Sequence, residues 1–187
     1  MKKALIPIVI VLVVIALLAM PLIGSYNSLV KLDEEANNQW AQIDVQLKRR
    51  ADLIPNLVNT VKGFAEQEKD VLLGITKARA GLQDAKTPEE AAAADSELTS
   101  ALGKLSVVVE SYPQLKSDQN FIRLQDELAG TENRIAVARK DYNDVVRPLN
   151  AKIRSFPTKL VAGMFGFNAR QYFEVKESEK EVPNVEF

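Results

Sequence analysis

The hydrophobic pattern of the chain starts with one uninterrupted apolar run. Residues 4–23 carry no charge and contain fourteen Leu, Ile or Val residues, which favours membrane insertion by roughly 4 to 8 kcal/mol. A run of this length also matches the thickness of the hydrocarbon core at the helical rise of about 1.5 Å per residue. We therefore predict a transmembrane helix at residues 4–23, preceded by a short cytoplasmic N-terminus at residues 1–3.

A cleaved signal peptide is the alternative for this run. The run is longer than the usual apolar core of a signal peptide, and residues 18–21 (LAMP) form a poor cleavage sequence. An uncleaved anchor is therefore favoured. Lys2 and Lys3 precede the run, and only Lys31 follows it closely, which keeps the N-terminus in the cytoplasm and places the bulk of the chain on the extracytoplasmic side of the membrane.

From residue 29 onward, apolar residues recur every seven positions. Thirteen of sixteen positions in two columns are apolar, which predicts a long helix with one buried stripe. The pattern keeps its phase across Pro55, so we predict one kinked helix that continues to Leu82. The columns are Leu29, Ala36, Ile43, Arg50, Leu57, Phe64, Val71 and Ala78, with Asp33, Trp40, Leu47, Ile54, Val61, Glu68, Ile75 and Leu82.

Two further helices follow. Thr87, Pro88 and Glu90 form the pattern of a capping box at a helix start, and Pro113 ends this second helix after about residue 111. A third helix begins near residue 117. Its stripe at seven-residue spacing is Phe121, Leu128, Ile135, Tyr142, Leu149 and Phe156. Because short loops join these helices, the predicted fold class is all-α, with an elongated antiparallel up-and-down bundle of three to four long helices at residues 25–156.

The C-terminal segment, residues 157–187, has a different character. It contains a short apolar element that includes Phe165 and Phe167, followed by an extended stretch at residues 172–175. In one interpretation this segment folds back and covers the bundle, because large apolar groups are usually buried. In the other, Phe165 and Phe167 are exposed and contact a partner or the membrane.

Composition and charge limit the chemistry. The net charge is −1, with 24 basic and 25 acidic residues, which argues against nucleic-acid binding. The chain has no histidine and no cysteine, so histidine-dependent triads, thiolate nucleophiles and imidazole or thiolate metal sites are excluded. A Ser–Lys nucleophile stays as the least favoured alternative, since no Gly-x-Ser-x-Gly elbow accompanies it. We predict no catalytic residue, no metal and no cofactor, and hence not an enzyme.

The candidate site residues are polar positions on the long helices. Arg50 falls in an apolar column, where a buried charge requires a partner. Glu132, Asn133 and Arg134 lie at the middle of the third helix and are candidates for a polar network with Arg50. Arg49 belongs to a basic triplet with Lys48 and Arg50, for which a solvated face is favoured over a lipid-phosphate site.

Several blocks of sequence, in order, also resemble a known family. They are YNSLV at residues 26–30, VQLKRRADLIPNLV at 45–58, TVKGF at 60–64, YPQLK at 112–116, Asn120 with Phe121, TENRI at 131–135, Ala138 with Arg139, and Tyr142 with Asn143. In these residues the chain resembles the LemA family of bacterial membrane proteins, over residues 26 to about 172. The resemblance implies an N-terminal anchor followed by a helical bundle, and it implies no particular reaction, cofactor or catalytic residue.

The functional expectation is a non-enzymatic adaptor or scaffold in the bacterial cell envelope, anchored in the bilayer through residues 4–23. We expect a membrane or envelope protein as its partner, and the resemblance points to a protease or stress-response component. The alternative is a lipid-binding or membrane-remodelling protein. Seven-residue periodicity is shared by intramolecular bundles and intermolecular coiled coils, so a homo-oligomer also stays open.

Overall fold

The structure is a computed structural model that describes the backbone of residues 2–174 and the side chains of residues 20–174. This part of the chain contains six α-helices and no strand, which confirms the all-α prediction. The helices are α1 (Lys2–Lys62), α2 (Lys69–Asp84), α3 (Pro88–Val109), α4 (Pro113–Lys116), α5 (Gln119–Arg154) and α6 (Thr158–Phe165).

The two ends of the chain include regions outside this description. The predicted transmembrane helix at residues 4–23 lies within α1, but the side chains of residues 4–19 are outside the described residues. Among the described residues, no helix has the length and apolarity needed to cross a membrane. Residues 175–187 of the predicted C-terminal segment also lie outside the described residues.

The chain divides into two compact units. Unit 1 comprises Met1–Asn38 and Asp144–Arg170, and unit 2 comprises Gln39–Asn143 and Gln171–Phe187.

In unit 2, α5 runs opposite to α1. The rings of Trp40 and Tyr142 lie 5.9 Å apart. Nine residues later on α1, the Arg49 side chain pairs with Glu127, which precedes Tyr142 on α5. The two helices are therefore antiparallel. All four long helices contribute buried side chains. Among these core residues are Ile43, Leu47, Ile54, Leu57, Ile75, Leu98, Leu105 and Phe121.

The prediction of one kinked helix from residue 29 to Leu82 is wrong. The chain turns between α1 and α2, where the backbone N–H groups of Phe64 and Ala65 both donate to the carbonyl oxygen of Val61, at 3.0 and 2.8 Å. After the turn α2 runs back along α1, and the Arg79 guanidinium donates to the carbonyl oxygen of Ala51 at 2.9 Å. The stripe keeps its phase because each helix buries its own apolar face, and phase carries no information on helix direction.

The turn between α1 and α2 is fastened by Tyr112, which lies between α3 and α4. The Tyr112 hydroxyl donates to Glu68 Oε1 at 2.8 Å and accepts from Gln67 Nε2 at 2.6 Å. The hydrogen bond to Glu68 raises the pKa of Tyr112 above its usual value. A side chain distant in sequence therefore fixes the turn.

The starts of α3 and α5 follow from local side chains. Thr87 Oγ1 accepts from the backbone N–H of Glu90 at 3.2 Å, and Glu90 Oε2 accepts from the backbone N–H of Thr87 at 3.2 Å, which confirms the predicted capping box. For α5 the cap is Asp118, whose Oδ1 accepts from the N–H of Phe121 at 2.9 Å. This α5 start differs slightly from the predicted position near residue 117.

Unit 1 joins the first part of α1 to the end of α5 and to α6. Lys152 donates a hydrogen bond to Ser28 Oγ, and Thr158 Oγ1 donates to Ser25 Oγ at 3.4 Å. The predicted stripe position Phe156 is exposed, in contrast to the expectation. The physical reason is that α5 ends at Arg154, so the seven-residue register no longer applies.

Arg170 holds the segment after α6 against α1 within unit 1. Its Nε donates to Asp33 Oδ1 at 2.9 Å and its Nη2 donates to Asn37 Oδ1 at 2.8 Å. Asn150 on α5 makes hydrogen bonds to both the N–H and the carbonyl oxygen of Arg170, each at 2.8 Å. Gly166, with φ of 78°, ends α6 in the left-handed conformation that favours glycine.

The segment that follows lies against unit 2. Asn143 Nδ2 donates to the carbonyl oxygen of Phe173 at 3.0 Å, and the N–H of Phe173 donates to Asn143 Oδ1 at 2.9 Å. The Phe173 side chain is buried, with its ring centroid 6.3 Å from that of Trp40. Side-chain amides therefore hold this irregular backbone in place.

Candidate interaction site

The centre of the polar network in unit 2 is Arg50 on α1. Its side chain is 1% exposed, so its charge has to be compensated by protein groups. Nη1 donates to Asp95 Oδ1 at 2.6 Å, and Nη2 donates to Thr99 Oγ1 at 3.0 Å and to Glu132 Oε2 at 3.4 Å. Three helices of unit 2, α1, α3 and α5, therefore meet at one guanidinium.

Asp95 is the member of this network whose pKa is shifted. Burial raises the pKa of the Asp95 carboxyl above its usual value, and the neighbouring Arg50 guanidinium opposes part of that rise. Glu132 adds to the rise in pKa and Arg139 opposes it. The Thr99 hydroxyl donates to the backbone oxygen of Asp95 at 3.0 Å, which leaves its lone pairs available to Arg50. The arrangement compensates the buried charge of Arg50 and links three helices.

The structure brings only some of the predicted residues together. Arg50 meets Glu132, whereas Asn133 lines a groove described below and Arg134 approaches Glu127 at 4.0 Å. Sequence reasoning missed Asp95 and Thr99. Their spacing of four residues on an amphipathic helix is the pattern that places two polar side chains on one face.

The basic triplet does not converge on one point. Lys48 pairs with Asp44 at 3.4 Å within α1, and Arg49 pairs with Glu127 at 3.0 Å. Arg50 points into the core. Consecutive helix positions face different directions, so these side chains do not form a common phosphate site.

A groove between α1 and α5 lies on the surface of unit 2, with a cavity volume of about 380 Å³. We call it the amide groove because four of its eight lining residues are Gln or Asn. Gln46 Oε1 is buried there and has no hydrogen-bond partner among the described residues, and Val137 is exposed. The lining consists of Gln39, Gln42, Gln46, Asn133, Arg134, Val137, Ala138 and Asp141.

Phe165 and Phe167 belong to unit 1. Both lie against Tyr26 on α1, with ring centroids 4.7 and 5.9 Å away. Phe165 stays largely exposed and Phe167 is half-buried. The described residues contain no group of three His, Cys, Asp or Glu side chains that could hold a metal ion.

Comparison with known proteins gives the family. Residues 39–187 match the family model described as the LemA family, which covers more than half of the chain. The chain belongs to the LemA family. The resemblance found in the sequence blocks is thereby confirmed, and the match includes Arg50, its partners and the amide groove.

Individual relatives of this LemA family chain cover most of its length. It is similar to magnetosome protein MamQ 2 of Paramagnetospirillum magneticum, with 28% identity over 192 residues, which covers 89% of this chain and 70% of the relative. It is also similar to protein LemA of Metamycoplasma hominis, with 26% identity over 162 residues, which covers 84% of this chain and 73% of the relative.

Proposed function

We propose that this LemA family chain is a non-enzymatic adaptor in the bacterial cell envelope, which binds another membrane or envelope protein while residues 4–23 hold it in the cytoplasmic membrane. The observation that carries the proposal is the amide groove of unit 2. The uncharged run at residues 4–23 supports the anchor. In this arrangement the bulk of the chain faces the extracytoplasmic side.

The groove has the chemistry of a protein-binding surface. Side-chain amides both donate and accept hydrogen bonds, so they pair with a peptide backbone or with polar side chains of a partner. The unpartnered Gln46 Oε1 carries a desolvation cost of about 1–3 kcal/mol, which a donor from a partner relieves. Val137, at 61% exposure, adds an apolar contact beside Arg134, and arginine is enriched at protein interfaces.

In-cell photocrosslinking of the full-length chain tests the proposal. A photoreactive residue replaces Val137 in the groove. A matched variant carries it at Val107, a valine on α3 outside the groove lining that is 74% exposed, against 61% for Val137. We expect one recurring protein adduct from position 137, identified by mass spectrometry, and none from position 107. Adducts only to lipid, or the same adducts from both positions, would contradict the adaptor function.

A further inference from the structure

Helix α6 in unit 1 is apolar on two faces. Val161 and Ala162 are buried against the rest of the unit. On its outer side Leu160 is 56% exposed and Met164 78%, and Phe165, which packs on Tyr26, is still 59% exposed. A helix that is apolar all round is normally buried, and an exposed apolar patch of this kind marks a contact surface. The outer face of α6 therefore needs an occupant.

The patch lies beside the residues that follow the predicted membrane span. Thr158 at the start of α6 contacts Ser25, and Phe165 at its end stacks on Tyr26. Tyr26 is only about 4.5 Å along the helix axis from Ile23, at 1.5 Å per residue. If residues 4–23 cross the bilayer, α6 is at the level of the lipid headgroups.

Unit 1 has other exposed apolar side chains near the ends of α6 and of the predicted span. Phe156, in the turn between α5 and α6, is 83% exposed. On α1, Met20 and Ile23 are exposed as well. Met20 and Ile23 thus precede, on α1, the two residues Ser25 and Tyr26 that α6 contacts.

The charge of residues 145–173 indicates what kind of surface the outer face of α6 contacts. Residues 145–173 contain five basic side chains and no acidic one. Arg147 pairs with Asp144 and Arg170 with Asp33, which leaves three of the five for other contacts. Arg154 and Lys159 flank Phe156 and are exposed. Apolar side chains bordered by Lys and Arg are typical of segments that lie in the interface of a membrane with anionic lipids. The basic residues are Arg147, Lys152, Arg154, Lys159 and Arg170.

We propose that α6 and the preceding Phe156 form a second membrane contact, which lies in the headgroup layer of an anionic bilayer next to the transmembrane anchor. The inference rests on the proposed anchoring through residues 4–23. Met164 and Leu160 enter the acyl boundary to a depth of about 5–10 Å, while Lys159 and Arg154 reach the lipid phosphates. The contact fixes unit 1 at the membrane surface.

The absence of cysteine allows a direct test with single-cysteine variants. Full-length Met164→Cys, Val107→Cys and Ile10→Cys proteins are labelled with one fluorophore and reconstituted into vesicles of phosphatidylcholine and phosphatidylglycerol. Quenching by a nitroxide on the lipid is compared with quenching by iodide in the water. We expect the label at position 164 to be quenched mainly by the lipid nitroxide and the label at position 107 mainly by iodide.

The outcomes separate this inference from the anchor. Equal iodide quenching at positions 164 and 107 overturns the inference, and so does shielding of position 164 from both quenchers, because a protein surface then covers it. If the lipid nitroxide quenches the label at position 10 but not the label at position 164, the anchor is supported and the membrane contact of α6 is rejected. If position 10 is also not quenched by the lipid, both fail.

A charge variant tests the lipid selectivity. Adding Lys159→Glu to the Met164→Cys protein should reduce lipid quenching in the vesicles with phosphatidylglycerol and leave it unchanged in vesicles of phosphatidylcholine alone. Circular dichroism of the same sample shows whether the variant keeps its helical structure. With the helical signal intact, an equal loss or no loss overturns the assignment to anionic lipid.

Discussion

Arg50 is a cation in the core of unit 2, and its compensation decides whether it stabilises the fold. Removing a guanidinium and a carboxylate from water costs several kcal/mol per ion, which their mutual attraction offsets only with good geometry. Here Arg50 Nη1 approaches Asp95 Oδ1 at 2.6 Å, with Thr99 as a further acceptor. The pair is therefore sensitive to the loss of one member.

We expect Arg50→Met to reduce the free energy of unfolding by about 3–5 kcal/mol, because it leaves the buried Asp95 carboxylate uncompensated. The double variant Arg50→Met with Asp95→Leu should recover most of this loss, since both buried charges are removed. Urea unfolding followed by circular dichroism measures both. Arg49→Met is the control, with a change of at most about 1 kcal/mol for an exposed ion pair. Equal losses in the single and double variants would count against the compensation.

The pH dependence follows from the raised pKa of Asp95. Because the folded protein holds the Asp95 proton to higher pH than the unfolded chain, this group stabilises the fold below the usual aspartate pKa of about 3.9, and the stabilisation is lost as pH rises through the raised pKa. The unfolding free energy of the wild type minus that of Asp95→Asn should thus be larger at pH 4 than at pH 7. Urea titrations at both pH values measure it. A difference in unfolding free energy that is larger at pH 7 than at pH 4 would contradict a raised pKa of Asp95 in the folded protein.

At the residue scale, the sequence predicts that Arg50 needs a partner, but it does not predict all of the side chains that bind it. Arg50 stands out because it interrupts an apolar column, and Glu132 is close enough in the facing helix to be a candidate. Asp95 and Thr99 were missed because the position of α3 around α1 depends on the turn at residues 63–68. That turn leaves no break in the heptad pattern.

At the scale of the elements, the start of α3 depends on two reciprocal hydrogen bonds. We expect Thr87→Ala to reduce the free energy of unfolding by about 0.5–2 kcal/mol, because it removes the acceptor for the N–H of Glu90. Thermal unfolding of the variant measures the loss. Thr60→Ala is the matched control, since the Thr60 hydroxyl only donates to Asn56 O within α1, and its effect should stay within about 0.5 kcal/mol. Equal losses would show that the cap has no special role.

Helix starts that depend on neighbouring residues can be predicted from the sequence, whereas turns that depend on distant residues cannot. Thr87, Pro88 and Glu90 act within four residues, so their geometry is fixed locally and the prediction succeeds. The turn after Lys62 is held by Tyr112, which is 44 residues from Glu68 in sequence and comes within hydrogen-bond distance of it in the folded unit. The contact between Tyr112 and Glu68 therefore cannot be predicted from local patterns in a single sequence.

At the scale of the whole molecule, the heptad stripe of α1 is satisfied inside one chain. Ile43 is fully buried, whereas Val45, two residues further on the same helix, is 56% exposed. The full-length Val45→Cys protein should therefore react readily with a maleimide, and Ile43→Cys should react only after unfolding. Mass spectrometry of the labelled protein measures both. Rapid labelling at position 43, or a disulfide-linked dimer through it, would mean that the stripe serves a coiled coil between chains.

Asn143 gives Phe173 the same pair of hydrogen bonds that a neighbouring β-strand would supply. In hydrogen exchange, residue 173 should therefore behave as part of the core even though it lies in no helix, because its amide is held by a side chain on a stable helix and its ring is buried. Replacing Asn143 with Leu should release that amide to fast exchange while the α5 amides stay protected. Within residues 2–174, slow exchange should thus extend beyond the end of α6 to residue 173, because one carboxamide holds that amide.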